Sequence, residues 1–389
     1  MAHRRRTHPV PVGPVTATCV SGVHRVAADV DGAPVWFETR DTPLTAAPEA
    51  FGSAFLLPAL HQGAPLTLAD PVDPEWLANV GELMKIARRW WRYPVLAPKV
   101  PGAAGSAAAH APADERGAGA GVALFFSGGV DSFYSLLKSG ATQDRLVTVQ
   151  GFDIPLDDHA RMAAVEAMLR AVAGARGLRA MVVRTNLRSH PLVQAMPWER
   201  SHGGALAAVG HVLGDGVSEV FISSSIARDR TKAWGSHWET DPLFSSSRVR
   251  LREIGMELLR RQKLPLIAGE PLVRRHLRVC WENRSPAGNC SRCGKCVITR
   301  LLLADCGALD AFPGFEGSAT LARDLDALRS YSTSLHTLTD LAASPRLDRE
   351  VLRATRALLE RSRHAQNPLV RARRAVLRKV LEWLGAARA

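Results

Sequence analysis

From residue 121 to about 312, short apolar runs alternate with amphipathic stretches, and this alternation restricts the fold more than any other feature of the chain. VALFF (122–126) reads as a buried strand, followed by a loop and the helix FYSLLKSG. LVTVQGF (146–152) is a second strand, and 158–175 is a helix with Met162, Val165, Met168, Leu169 and Val172 on its apolar face. AMVVRTN (180–186) is a third strand, HGGALAAVGHVLG a small-residue helix and VSEVFISSS (217–225) a fourth strand. Helices are expected over 247–262 and 293–305. Strands separated by helices pair in parallel, so the expected fold is α/β, a doubly wound parallel sheet with helices on both faces.

The flanks differ in composition. Residues 1–20, basic and Pro-rich, are expected to be a disordered leader, and no apolar run follows the arginines as a signal peptide would require. Residues 21–98 are expected to form a small N-terminal α+β domain. Alternating residues around Asp31-Gly32 read as a hairpin, and DPEWLANVGELMKIARRWWRYP as a helix capped by Asp73 with Pro74 at its first position. Trp90 and Trp91 then read as packing residues. Residues 99–120 have the Gly, Ala and Pro content of a linker. The sheet domain would span 121–316, and 317–389 a helical, basic tail. Leu352, Leu358, Leu359, Leu369, Val376, Leu377, Val380 and Leu384 would dock that tail's helices.

Between the first strand and its helix stands Ser127-Gly128-Gly129-Val130-Asp131-Ser132. Two glycines let the backbone turn sharply and bring bare N–H groups to an anion, and the following helix adds the positive end of its dipole. Ser127 and Ser132 add hydroxyl donors. Asp131 would repel a phosphate unless a cation stands between them, a task that suits Mg2+. The plainer alternative is a Gly-rich turn in which Asp131 or Ser132 only caps the helix. The loop is not a Walker A sequence, because no Gly-Lys-Ser/Thr follows.

Six cysteines are present, and Cys280, Cys290, Cys293 and Cys296 give C-x9-C-x2-C-x2-C. Two consecutive C-x2-C steps gather three thiolates, and an upstream cysteine closes a tetrahedron around Zn2+. Arg292 and Lys295 would offset the site's negative charge. A redox pair needs only two cysteines, while an iron–sulfur cluster stays open because spacing does not choose the metal. Four protein ligands would make a zinc structural. Cys19 and Cys306 read as plain thiols.

SGGVDS resembles the PP-loop of the ATP pyrophosphatases, whose sheet is of the adenine nucleotide α-hydrolase type. The resemblance implies that ATP is cleaved between its α- and β-phosphates and a substrate oxygen is adenylated. It further implies that Ser127, Gly128, Gly129, Val130, Asp131 and Ser132 hold the pyrophosphate end of ATP with its Mg2+. The end of the second strand, Gln150, Gly151 and Phe152, would pass the adenine. A PP-loop followed by CxxCxxC is similar to the 7-cyano-7-deazaguanine synthase family over residues 121–312. The chain departs from that family in its added flanks. It also carries ARDRTKAWGSHWETDPLFSSS where the family's substrate-pocket signature would stand.

That segment, 223–247, is dense in polar groups after the fourth strand, on the edge where α/β sheets bind ligands. Arg228 or Lys232 would neutralise charge at the α-phosphate, and His237, Glu239 or Asp241 would bind substrate or serve as base. His202 and His211, beside small helical residues, read as packing positions. The formal charge of +13 leaves tRNA open as a partner beside a small-molecule substrate. No run of about 18 apolar residues exists to span a membrane, and the expected location is a reducing cytoplasm. Three functions follow: a C–N bond-forming adenylating enzyme, a tRNA-modifying enzyme with the same activation step, or a non-enzymatic zinc module binding nucleotide or nucleic acid. Oligomeric state is not legible, a homodimer being one option.

Overall fold

A computed structural model describes residues 6, 8–101, 120–138, 140, 142–214, 216–229, 232–285, 288–331 and 335–367. The chain divides into two compact units, 1–263 and 264–389.

In the first unit the elements run β1 (Val10–Val12), β2 (Thr16–Val20), β3 (Val23–Val30), β4 (Ala33–Thr39), α1 (Pro48–His61), β5 (Leu66–Leu68) and α2 (Pro74–Trp91). They continue through β6 (Gly121–Phe125), α3 (Val130–Lys138), β7 (Arg145–Gln150), α4 (His159–Ala175), β8 (Arg179–Thr185), α5 (Pro191–Gln194), α6 (Trp198–Val212), β9 (Val217–Ser223) and β10 (Arg250–Ile254). Helix α7 (Arg260–Ile267) begins in this unit. All ten strands join one mixed sheet ordered β10-β9-β6-β7-β8-β4-β3-β1-β5, with β2 on β3. From β10 to β8 every pairing is parallel. Within this parallel half the order reverses at β6: β7 and β8 extend one way, β9 and β10 the other. In open α/β sheets a reversal of this kind is where ligands bind, outside the carboxyl ends of the strands.

Several expectations hold. Asp31 (φ 54°) and Gly32 (φ 81°) make the two-residue turn joining antiparallel β3 and β4, as an Asp-Gly pair with both φ positive should. Asp73 caps α2, its carboxylate accepting from Trp76 N at 3.0 Å, with Pro74 at the first position.

Others are corrected. The leader 1–20 is not disordered where described, since it supplies β1 and β2, paired to β3. Residues 21–98 do not form a sheet of their own: β4 pairs antiparallel with β8, which extends the parallel half. Helix α1 escaped the sequence reading because it is buried on nearly every side and so shows no amphipathic period. It packs on α6, where a Cβ at Gly204 would come 2.3 Å from the Ser53 carbonyl oxygen, so small residues let the backbones approach. The expected helix 247–262 is strand β10, then a turn, then the start of α7. Its Val249-Arg-Leu251-Arg-Glu253 buries alternate residues, a period of two that the helical reading passed over. The expected 121–316 domain is divided after Lys263. Only 99–101 and 120 of the linker are described, Lys99 bridging to Thr67, and the rest lies outside the described residues.

The second unit holds α8 (Pro271–His276), α9 (Gly294–Asp305), α10 (Leu321–Ala327), α11 (Leu335–Leu341) and α12 (Arg349–Gln366). Helix α12 packs on α10 and α11, and α10 on α9. Leu358 and Leu359 are buried there, while Leu369, Val376, Leu377, Val380 and Leu384 lie outside the described residues. Among the described residues no helix is long and apolar enough to cross a membrane.

Candidate functional site

The loop Ser127–Ser132 leaves β6 at the point where the strand order reverses and opens α3 at Val130. Gly128 has φ 74°, a conformation costly for residues with a Cβ. Ser127 is exposed, and its hydroxyl oxygen accepts from Gly129 N at 3.3 Å. Ser132 is buried and donates to the Gly129 carbonyl at 3.1 Å, while Val130 is buried under the first turn.

Asp131 does not stand free. Arg260 donates to its Oδ2 at 2.5 Å and 3.2 Å, and Lys263 Nζ lies 3.3 Å from Oδ1. Lys263 is fully buried, donates to the Ser224 carbonyl at 2.6 Å, and lies 5.4 Å from the centre of the Tyr134 ring. Arg260 and Lys263 are three residues apart on α7 and so share a face. A magnesium ion on Asp131 does not fit this arrangement, because both carboxylate oxygens already face cations. Two cations face this one carboxylate, the start of α3 adds about half a positive charge, and Glu257, bonded to the Tyr134 hydroxyl, also acts on Lys263.

Behind this group Glu253 projects from β10, buried, with Oε2 unpaired among the described residues. Burial pushes its pKa up to about 7, against the pull of Ser224 and Lys263 and with the push of Asp131. Asp241, completely buried, is likewise raised well above its usual value, first by burial and then by Glu253.

The segment 223–247 divides. Ser224 reaches the loop through Lys263, but the residues beyond it pack elsewhere. Arg228 is exposed, its guanidinium 5.3 Å over Trp238, and the Lys232 ammonium lies 4.4 Å over Trp234. His237 is buried between Trp90 (4.9 Å) and Trp238 (5.1 Å), accepting from Glu239 N at 3.0 Å. Burial lowers its pKa below the usual histidine value. Asp241 accepts from Ser236 Oγ at 2.6 Å and His237 N at 3.1 Å. Glu239 pairs with Arg89 at 2.5 Å. The aromatic interleaving of this segment makes these contacts with tryptophans, and the cations at the loop come instead from α7. The RRQK spacing of Arg260 and Lys263 could have flagged them had β10 been read as a strand.

At the end of β7, Gln150 is buried, donating to the Pro155 and Leu156 carbonyls at 3.1 Å and 3.2 Å and accepting from Arg184 at 3.1 Å. Gly151 has φ 102°, and a Cβ there would stand 1.8 Å from the Thr185 carbonyl oxygen. Phe152 meets the Trp198 ring at 5.2 Å. His202 and His211 are packing residues, His211 bonding the Phe244 carbonyl at 2.8 Å, with its pKa lowered to about 4 by burial.

In the second unit the Cys280, Cys290, Cys293 and Cys296 sulfurs all lie within 4.8 Å of one another. Cys290 and Cys296 are 3.9 Å apart, close to the roughly 3.8 Å that a tetrahedral ion with bonds of about 2.3 Å requires. A multi-iron cluster would insert its own atoms and spread the thiolates further. Cys293 N donates to Cys290 Sγ at 3.3 Å, and Cys296 N to Cys293 Sγ at 3.5 Å, so the start of α9 presents its amides to the sulfurs. The Cys296 thiol's hydrogen bond holds Cys293 down at about 5, in the thiolate form a metal takes. Asn289 joins the segments, accepting from Val279 N and Cys280 N and donating to the Leu277 carbonyl. Arg300, wholly buried, donates to the Ser291, Glu316 and Gly317 carbonyls and to Asp324. Arg292 pairs with Glu316. These four cysteines could hold one metal ion such as zinc, and they are the set of this kind among the described residues.

No family model, no curated protein and no solved structure matches the chain.

Two outcomes follow. Glu253 holds a proton in the folded chain that the unfolded chain releases, so stability falls as pH rises from about 4.5 to about 7, by up to about 3 kcal/mol. Urea unfolding of Glu253→Gln should show that decline flattened, and an unchanged slope would contradict the assignment. Purified protein should carry about one zinc per chain, and Cys293→Ala should lose it and come out poorly folded, since such sites contribute on the order of 10 kcal/mol. Iron in its place, or a folded Cys293→Ala without metal, would count against a structural zinc.

Proposed function

We propose that the chain is an ATP-dependent adenylating enzyme of the PP-loop type, with a sheet of the adenine nucleotide α-hydrolase kind and a layout like that of the 7-cyano-7-deazaguanine synthase family. The observation that carries this reading is the Gly-rich loop at the reversal of strand order, flanked by Arg260 and buried Lys263. Open α/β sheets bind ligands at such a reversal, and loop amides, the α3 dipole and two cations suit a polyphosphate.

In this reading the loop amides of Gly128–Ser132 hold the β- and γ-phosphates. Arg260 and Lys263, kept in place by Asp131, offset charge on the departing pyrophosphate. A carbonyl or carboxylate oxygen of a small molecule attacks the α-phosphorus. The new O–P bond forms as the bond to the β-phosphate oxygen breaks. A nitrogen nucleophile then attacks the activated carbon, and the carbon–oxygen bond breaks to release AMP. Asp131 acts here as a positioning residue, not as a magnesium ligand. The four cysteines support the fold of their own unit.

Incubation of the protein with α-labelled ATP, a panel of small carboxylates and ammonia should give AMP and pyrophosphate. Lys263→Met should lower the rate by about 100-fold while far-UV dichroism stays that of a folded chain. ADP and phosphate as the products would refute the reading.

A further inference from the structure

Away from the loop, the last turns of α1 and α2 and Arg200 of α6 line an open pocket of about 690 Å³. Its wall includes His61, Arg88, Trp91, Arg92, Tyr93 and Arg200, and no Asp or Glu lines it among the described residues. It shares no residue with Ser127–Ser132.

Arg200 is held in position. It donates to Tyr93 Oη at 3.2 Å, Tyr93 Oη meets His61 Nδ1 at 3.0 Å, and the guanidinium lies 5.9 Å from the centre of the Trp91 ring. Arg92 ends α2 with φ 62°, a left-handed conformation that Gly or Asn would adopt more easily. The Arg88 and Arg92 guanidiniums have no ion pair among the described residues, whereas Arg89 beside them pairs with Glu239.

Arginines in a last helical turn commonly do no more than offset the helix dipole, so the charges must be compared. Two helix ends bring about half a negative charge each, and three guanidiniums bring three positive charges. About two positive charges remain around the cavity, within reach of a ligand at physiological salt. The volume is several times what bare phosphate needs, and Trp91, Tyr93 and Pro94 give a planar ring apolar surface. We propose that the cavity is a second anion site, for a 5′-phosphorylated nucleoside, either free or as a unit of RNA. The guanidiniums take the phosphate by charge-assisted hydrogen bonds, and the aromatic wall takes the base.

Photolabelling the full chain with 8-azido-AMP and mapping the label by peptide mass spectrometry tests this without reference to the loop. The label should fall on 88–96, and Arg88→Glu with Arg92→Glu, both exposed and harmless to packing, should reduce it there at least about 10-fold. Displacement of the label by a single-stranded RNA oligonucleotide would support the site and assign its phosphate to RNA, and displacement by AMP alone would assign it to the free nucleotide. Label confined to 127–138, or unchanged labelling of 88–96 in the double variant, would overturn the proposal.

Discussion

The buried ammonium of Lys263 is the interaction on which the candidate site depends. A charge without solvent exposure persists only if its partners replace its hydration, and here the Asp131 carboxylate, the Ser224 carbonyl and the Tyr134 ring do so. These partners come from the start of α3 and from the residue after β9, so one side chain ties together the loop that leaves β6 and the end of the neighbouring strand. Removing Asp131 would leave the wholly buried ammonium without its counter-ion, at about 3–5 kcal/mol, whereas removing Lys263 leaves Asp131 its bonds to Arg260. The arrangement therefore holds the loop's charge in place before any ligand arrives. The neighbouring Glu253, raised to about 7 by burial, is neutral for much of the acid range and competes little for that ammonium.

The cysteine site shows the same economy in a different currency of contacts. Three of its sulfurs fall within one turn-and-helix segment, but the fourth is ten residues upstream, and a loop of that length does not hold geometry unaided. Asn289 fastens the upstream segment by three hydrogen bonds, and Arg300 ties the knuckle to the carbonyls near 316. Both residues are polar groups placed where backbone donors and acceptors would otherwise stay unpaired.

Much of this was legible in the sequence because local chemistry and tertiary outcome agree. The strands β6 to β9 are short, apolar and β-branched, Asp31-Gly32 demands its turn, and Asp73-Pro74 announces a helix. The four cysteines were legible by spacing alone. Misreadings arose where tertiary context decides. Helix α1 has no polar face to give it a period, β10 was masked by its arginines, and the joining of β4 to β8 is a long-range pairing that no local pattern records. Arg228, Lys232 and His237 lie beside tryptophans, a placement that no local pattern in the sequence records. Asp131 looked like a metal ligand because its two cations lie about 130 residues away.

The reversal of strand order, the Gly-rich turn and the cations of α7 meet at one place: the loop leaves β6 where the order reverses, and α7 brings Arg260 and Lys263 to its Asp131. Phosphates are expected to bind at this loop and not along 228–237. Calorimetric titration of wild type, Lys263→Met and Lys232→Met with α,β-methylene-ATP separates the two locations. Lys263→Met should weaken binding at least about 10-fold, while Lys232→Met should bind like wild type. Equal binding by wild type and a folded Lys263→Met, or a loss confined to Lys232→Met, would contradict it.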